Sequence, residues 1–182
     1  MSIITLKNVR LSFPQIWTAK AFNKGQDAKF NANFLLDKDS DKDQIESLRK
    51  EIKQAATAKF NGDIPKNIKM FLGDGEDKAY DGYENAMFVS ASCKNRPTII
   101  DRDRTPLVEE DGRPFAGCYV NAAISIWIMD NDYGKRINAN LVAIQFVKDG
   151  ESFGSGPIKA DNIFDDISSE SAADAETDDF LS

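Results

Sequence analysis

Residues 117–150 read GCYVNAAISIWIMDNDYGKRINANLVAIQFVKDG, and this stretch decides the fold class. Cys118, Val120, Ala122, Ile124, Ile126 and Ile128 fall on one face of a period-two pattern, with Tyr119, Asn121, Ala123, Ser125, Trp127 and Met129 on the other. Strict alternation over so many residues means a long β-strand with one buried face. The turn NDYGK then leads to RINANLVAIQFVKDG, a partner of similar length. Two long strands joined by a short glycine-containing turn make a hairpin.

Shorter alternating runs lie on the N-terminal side. ITLKNVRLSFP places Val9, Leu11 and Phe13 on one face, and Pro14 is expected to end the strand. AKFNANFLLD places Phe30, Ala32, Phe34 and Leu36 together, against Lys29, Asn31, Asn33 and Leu35. NAMFVSASC turns Met87, Val89, Ala91 and Cys93 to one side, and PTII reads as a short strand after a basic turn. Between residues 41 and 61 the period changes. Ile45, Leu48, Ile52, Ala55, Ala56 and Phe60 recur at helical spacing, with Ser40 or Asp41 to cap the start and Gly62 to end it. Residues 73–84, with three glycines, read as a polar loop. Six or seven strands with one inserted amphipathic helix suit a mainly β, five-stranded barrel of the oligonucleotide-binding (OB) type with extra strands. A β-sandwich is the competing architecture.

Composition limits the chemistry. Of 182 residues 41% are hydrophobic, enough for a core. No apolar run is long enough for a signal sequence or a membrane span, which points to a cytoplasmic protein. The chain has no histidine and two separated cysteines, Cys93 and Cys118. Histidine-based or four-cysteine zinc sites and Ser-His or Cys-His catalysis are therefore excluded, and both cysteines read as core. No cofactor or metal is expected. The net charge is −7, but residues 161–182 hold eight acidic and no basic groups. Residues 1–160 then carry 23 basic and 22 acidic groups. This divides the chain into a near-neutral domain over 1–158 and an acidic tail over 159–182, expected to be disordered.

Carboxylates cluster at Glu76, Asp77, Asp81 and Glu84, at Asp101 and Asp103, at residues 109–111, and at Asp130 and Asp132. Each lies in a turn or at a strand end, where acids serve solvation and turn chemistry. Glu51-Ile-Lys53 imitates a nuclease motif but falls on the helix. Lys94, Arg96, Arg102 and Arg104 fall within eleven residues, and strand geometry would put Arg102 and Arg104 on one side. Arg10 and Lys29 add basic positions, and Trp17, Phe30, Tyr80 and Tyr83 are rings beside turns or polar faces. Cations that follow a phosphate backbone and rings that stack on unpaired bases are the two ingredients of sequence-tolerant single-strand binding. The tail ends near Asp178, Asp179, Phe180 and Leu181, an acidic segment with an apolar tip for partner proteins.

VRLSFPQIW, KFNANFLLDKD and the run DKAYDGYENAMFVSASCKNRPTIIDRDRTPLVEEDGRPFAGCYVNA carry a further signal. With the following hairpin, about residues 5–155, they resemble a family of single-stranded-DNA-binding proteins from tailed phages and prophages. The resemblance implies an OB barrel that binds single strands during phage replication or recombination; whether duplex DNA also binds, more weakly, is left open by the sequence. It also implies a tail like that of bacterial single-strand-binding proteins, meeting replication or recombination proteins. The ending DDFLS departs from that pattern: no proline precedes Phe180, and two residues follow it. The rival reading is a small magnesium-dependent nuclease of phage recombination, against which stands the lack of a complete acid-plus-lysine motif on strands.

Overall fold

The computed structural model describes residues 3–21, 24–80 and 82–153. The acidic tail expected over 159–182, with Asp178, Asp179, Phe180 and Leu181, lies outside the described residues. In chain order the elements are β1 (Ile3–Lys20), β2 (Lys29–Asp37), α1 (Lys42–Phe60), β3 (Lys69–Met70), β4 (Leu72–Asp74), β5 (Ala86–Cys93), β6 (Thr98–Ile100), β7 (Tyr119–Asn131) and β8 (Gly134–Lys148).

The barrel closes through β1, β2, β5, β8 and β7, in that order, and back to β1. All neighbours are antiparallel except β5 and β8, which run parallel through Ala91–Ala139 and Ser92–Asn140. Closure of five strands selects the OB-type barrel over the sandwich. β7 and β8 form the expected hairpin, with Asn131 opposite Gly134. The second edge of β8 is shared along its length by β3, β5 and β6. Phe71 bridges the gap where β5 and β8 diverge: it donates its N–H to Ile137 O at 3.0 Å and accepts from Ser90 N at 2.9 Å. β3 and β4 are too short for a period-two signal and were not anticipated.

The alternating residues fill the interior. Val9, Leu11, Phe34, Leu36, Val89, Val120, Ile124 and Ile144 are each fully buried. α1 lays Ile45, Leu48, Ile52, Ala56 and Phe60 on the same core. Gln44 fastens the helix to β1 by a reciprocal pair, accepting from Lys7 N and donating to Lys7 O, both at 2.8 Å. The helix ends at Asn61 in a left-handed conformation (φ 53°), so the reversal begins one residue before the expected Gly62. Both cysteines are buried free thiols, as their apolar surroundings implied.

Two expectations are corrected. Pro14 does not end β1, which continues to Lys20. The pairing with β2 shifts register between Ser12 and Gln15, and this bulge accommodates a residue that has no N–H for the ladder. The segment after β6 is not a strand, so Arg102 and Arg104 do not share a strand face. Arg104 N–H returns to Asp101 O at 3.0 Å, closing a tight turn, with Arg104 itself at φ 71°.

Phe34 sits at the centre of the barrel with no exposure. Phe34→Ala should destabilise the fold by about 3–5 kcal/mol, measured as a lower urea midpoint at an unchanged slope. A loss below about 1 kcal/mol would mean that the barrel does not depend on this contact.

Candidate nucleic-acid interface

The period that buries one face of each barrel strand exposes the other. On β2 the outward residues are Lys29, Asn31 and Asn33, and on β5 they are Phe88, Ser90 and Ser92, with Lys94 just beyond its end. The register sets Asn31 opposite Ser92 and Asn33 opposite Ser90, and across the closure it sets Ser92 opposite Asn140. The belt continues to β7, where Asn140 faces Ser125 and Asn138 faces Trp127. Amides and hydroxyls thus line the outside of β2, β5 and β8, whereas Ser125 of β7 is covered, at 2% exposure.

At one end of this belt lies a groove of about 520 Å³. Lys29, Ser92, Cys93, Lys94, Asn95, Arg96, Pro97, Trp127 and Asn140 line it, with Leu141 and Val142. Of the basic residues singled out from the sequence, the structure brings Lys29, Lys94 and Arg96 together here. Lys94 meets Asp27 at 3.7 Å, but both side chains are mostly exposed, so the pair is weak and screened. Arg96 is more fixed, donating to Trp17 O at 2.8 Å. Trp127 is 40% exposed. The alternation of its strand marks it as an outward residue, one of the rings interleaved with the basic positions, but does not single it out as a site residue. The available signal was a large ring on a face shared with Asn121 and Ser125.

The remaining candidates lie elsewhere. Arg102 and Arg104 occupy the turn after β6. Arg102 O accepts from Gln145 Nε2 at 3.2 Å, and Gln145 is three residues beyond the groove, roughly 10 Å along β8. Arg10 works within the fold. It donates to Gly117 O at 3.1 Å and to Glu151 O at 2.5 Å, with its guanidinium 4.2 Å from the centre of the Phe153 ring. Trp17 and Phe30 are half-buried against the core. The expectation that Tyr83 is an exposed ring is corrected: it is 1% exposed. Its hydroxyl donates to Ser12 Oγ at 2.9 Å and accepts from Asn33 Nδ2 at 3.0 Å. Those partners lie on β1 and β2, far away in sequence, so a tyrosine in a glycine-rich loop gave no sign of them. Tyr80 is 48% exposed, as expected.

Several of the carboxylates that a nuclease reading would recruit are engaged in local structure. Hydrogen bonding from Arg113, at 2.6 Å, holds Asp101 below the usual carboxylate range, helped by the Arg102 N–H. Lys38 does the same for Asp74 at 2.9 Å and also meets Glu76 at 3.1 Å. Asp103 is held down by hydrogen bonds from Thr105, side chain and backbone. Among the described residues no three carboxylate or thiol side chains gather as a metal site. No helix there is long and apolar enough to cross a membrane.

A family model described as the ssDNA-binding protein of Enterobacter phage Enc34 matches residues 1–181. The chain belongs to this family. Protein p50 of Acyrthosiphon pisum secondary endosymbiont phage 1 is 43% identical over 175 residues, covering 91% of this chain and 94% of its own length. The Enc34 single-stranded DNA-binding protein, solved in complex with ssDNA, superposes with a TM-score of 0.76 at 28% identity. That match covers 84% of this chain and 89% of that one. The fold extends further, to gp2.5, a single-stranded DNA-binding protein of bacteriophage T7. It has a TM-score of 0.52 at 12% identity, over 87% of this chain and 98% of that one.

The two thiols provide a check on the site's geometry. Burial pushes Cys118 up to about 11 and raises Cys93 as well, so both stay protonated and poorly nucleophilic at neutral pH. Iodoacetamide at pH 8 should alkylate the native protein far more slowly than the urea-unfolded chain, with Cys93, at the groove wall, reacting before Cys118. Cys118 labelling at the unfolded rate would contradict its place in the barrel.

Proposed function

We propose that this chain is a single-stranded DNA-binding protein, not an enzyme, and that the strand lies in the groove walled by Lys29, Lys94 and Arg96. The observation that carries the reading is the meeting of these three cations with Trp127 on the outer face of an OB barrel. In such barrels the face of the second and third strands, with the loops that join the first pair and the last pair, receives oligonucleotides. β2 and β5 hold those positions here. Lys29 follows the β1–β2 connection, and Trp127 stands on the β7–β8 hairpin.

The grip is sequence-tolerant. Lysine and arginine contact phosphates, which are the same in every nucleotide, and an indole ring stacks on any base. Arg102 and Arg104 form an outlying basic position further along β8. Duplex DNA binds more weakly, because paired bases are not free to stack on Trp127. The chain acts in phage replication or recombination in the host cytoplasm, and its two free thiols suit a reducing compartment. The acidic residues 161–182 compete with DNA for the basic groove. Phe180 and Leu181 present an apolar tip to replication or recombination proteins.

Titration with oligo-dT, followed by tryptophan fluorescence at several salt concentrations, tests the groove. Lys94→Ala with Arg96→Ala should lower affinity and flatten the salt slope by about 0.7 per lost phosphate contact. Trp127→Ala should cost about 1–3 kcal/mol of binding. Parent-like binding by both folded variants at every salt would remove the groove as the site.

Deleting residues 161–182 removes eight negative charges. Binding should tighten most at low salt, with the gain shrinking as screening shortens to roughly 8 Å at physiological ionic strength. Equal affinities at low salt would mean that the tail does not compete with DNA.

A further inference from the structure

We infer that the strand leaves the groove along the amide and hydroxyl belt and ends on a second stacking platform, built from Phe13 and Tyr80. This inference rests on the groove being the first site. Phe13 and Tyr80 are 41% and 48% exposed, although most rings of this size among the described residues are covered. Their centroids lie 4.9 Å apart at an interplanar angle of 71°, and both lean on Tyr83, at 6.4 and 5.3 Å.

The backbone and the buried tyrosine hold the platform in place. Phe13 sits at the β1 bulge with φ 46°, a conformation that bulky L-residues rarely adopt. A bulge re-aims a side chain. Here the turned-out ring comes to rest on Tyr80. Beneath them Tyr83 is fixed by its hydroxyl to Ser12 and Asn33, and it packs against Phe88 at 5.8 Å. Lys78 Nζ lies 5.8 Å from the Phe88 ring, placing a cation beside the rings.

Continuity with the groove identifies the occupant. From Lys94 the outward positions of β5 run through Ser92 and Ser90 to Phe88, beside Asn31 and Asn33 of β2. Asn33 ties the track to the platform, accepting from Ser90 Oγ at 2.8 Å while donating to Tyr83. Asn31 Nδ2, midway along, is buried without a hydrogen-bond partner. A polar track with a cationic groove at one end and bare rings at the other suits unpaired nucleotides. An apolar protein segment would leave the track's amides and hydroxyls unmatched.

The span sets a length. Lys94 to Phe88 is six strand residues, roughly 20 Å, or about six nucleotides at the stacked spacing of ~3.4 Å. Affinity for oligo-dT should therefore rise steeply as length passes from three to about eight nucleotides. Phe13→Leu and Tyr80→Leu keep an apolar side chain over Tyr83 but remove the flat rings. Together they should weaken dT12 binding roughly ten-fold or more and leave dT3 binding unchanged. Lys94→Ala should weaken both oligonucleotides. Parent-like dT12 affinity in the folded double variant, with Lys94→Ala still impaired, would overturn the platform and leave the groove standing. Loss of effect in Lys94→Ala as well would show that the groove itself is misplaced. If both rings are needed for a protein partner only, dT12 binding will not change, which also overturns the inference.

Discussion

The outer face depends on a short parallel contact: Ala91 beside Ala139 and Ser92 beside Asn140. These pairs join β5 to β8 and close the barrel. Closure makes Lys94 and Arg96, just beyond β5, neighbours of Trp127 and Asn140 on the hairpin. Without it the cations and the ring would belong to separate ends of an open sheet. The contact survives although parallel pairing is slightly weaker per residue than antiparallel pairing, because β8 is held along its other edge by all of β7. Phe71 fills the gap above the contact and β6 continues the ladder below it.

Closure also explains how a near-neutral body can attract a polyanion. Residues 1–160 are almost balanced in charge, so no long-range field directs DNA to this domain. Local arrangement has to do so. The acids near the groove are few, and Asp27, the one that meets Lys94, is solvent-exposed. Other acids are neutralised where they stand, Asp101 by Arg113 and Asp74 by Lys38. The positive end of the belt therefore stays uncompensated although the whole chain is acidic.

The strands were legible because burying one face forces a period of two, which runs through β2, β5 and β7; in β8 it changes phase at a bulge, from Ile137, Ala139 and Leu141 to Ile144 and Phe146. The helix was legible for the same reason at its own period. What failed was local. Pro14 was read as a stop because a sequence does not reveal a bulge, and β3 and β4 are too short to show any period. Arg102 and Arg104 were assigned a strand alternation, whereas Asp101 and Arg104 close a turn. Tyr83 was misjudged because its burial depends on hydroxyl partners on β1 and β2. Lys94 and Arg96 could be suspected from charge, and Trp127 from its polar neighbours. That Lys29 joins them follows only from the β2–β5 register and the closure.

Assigned backbone and side-chain NMR spectra of residues 1–158, recorded while oligo-dT is added, locate the strand residue by residue. The largest shift changes are expected at Lys29, Ser92, Lys94, Arg96, Asn140 and the Trp127 indole N–H, with little change on the exposed face of α1. Changes centred on α1 or on the Lys69–Arg136 edge, with the Trp127 indole unmoved, would contradict binding in the groove.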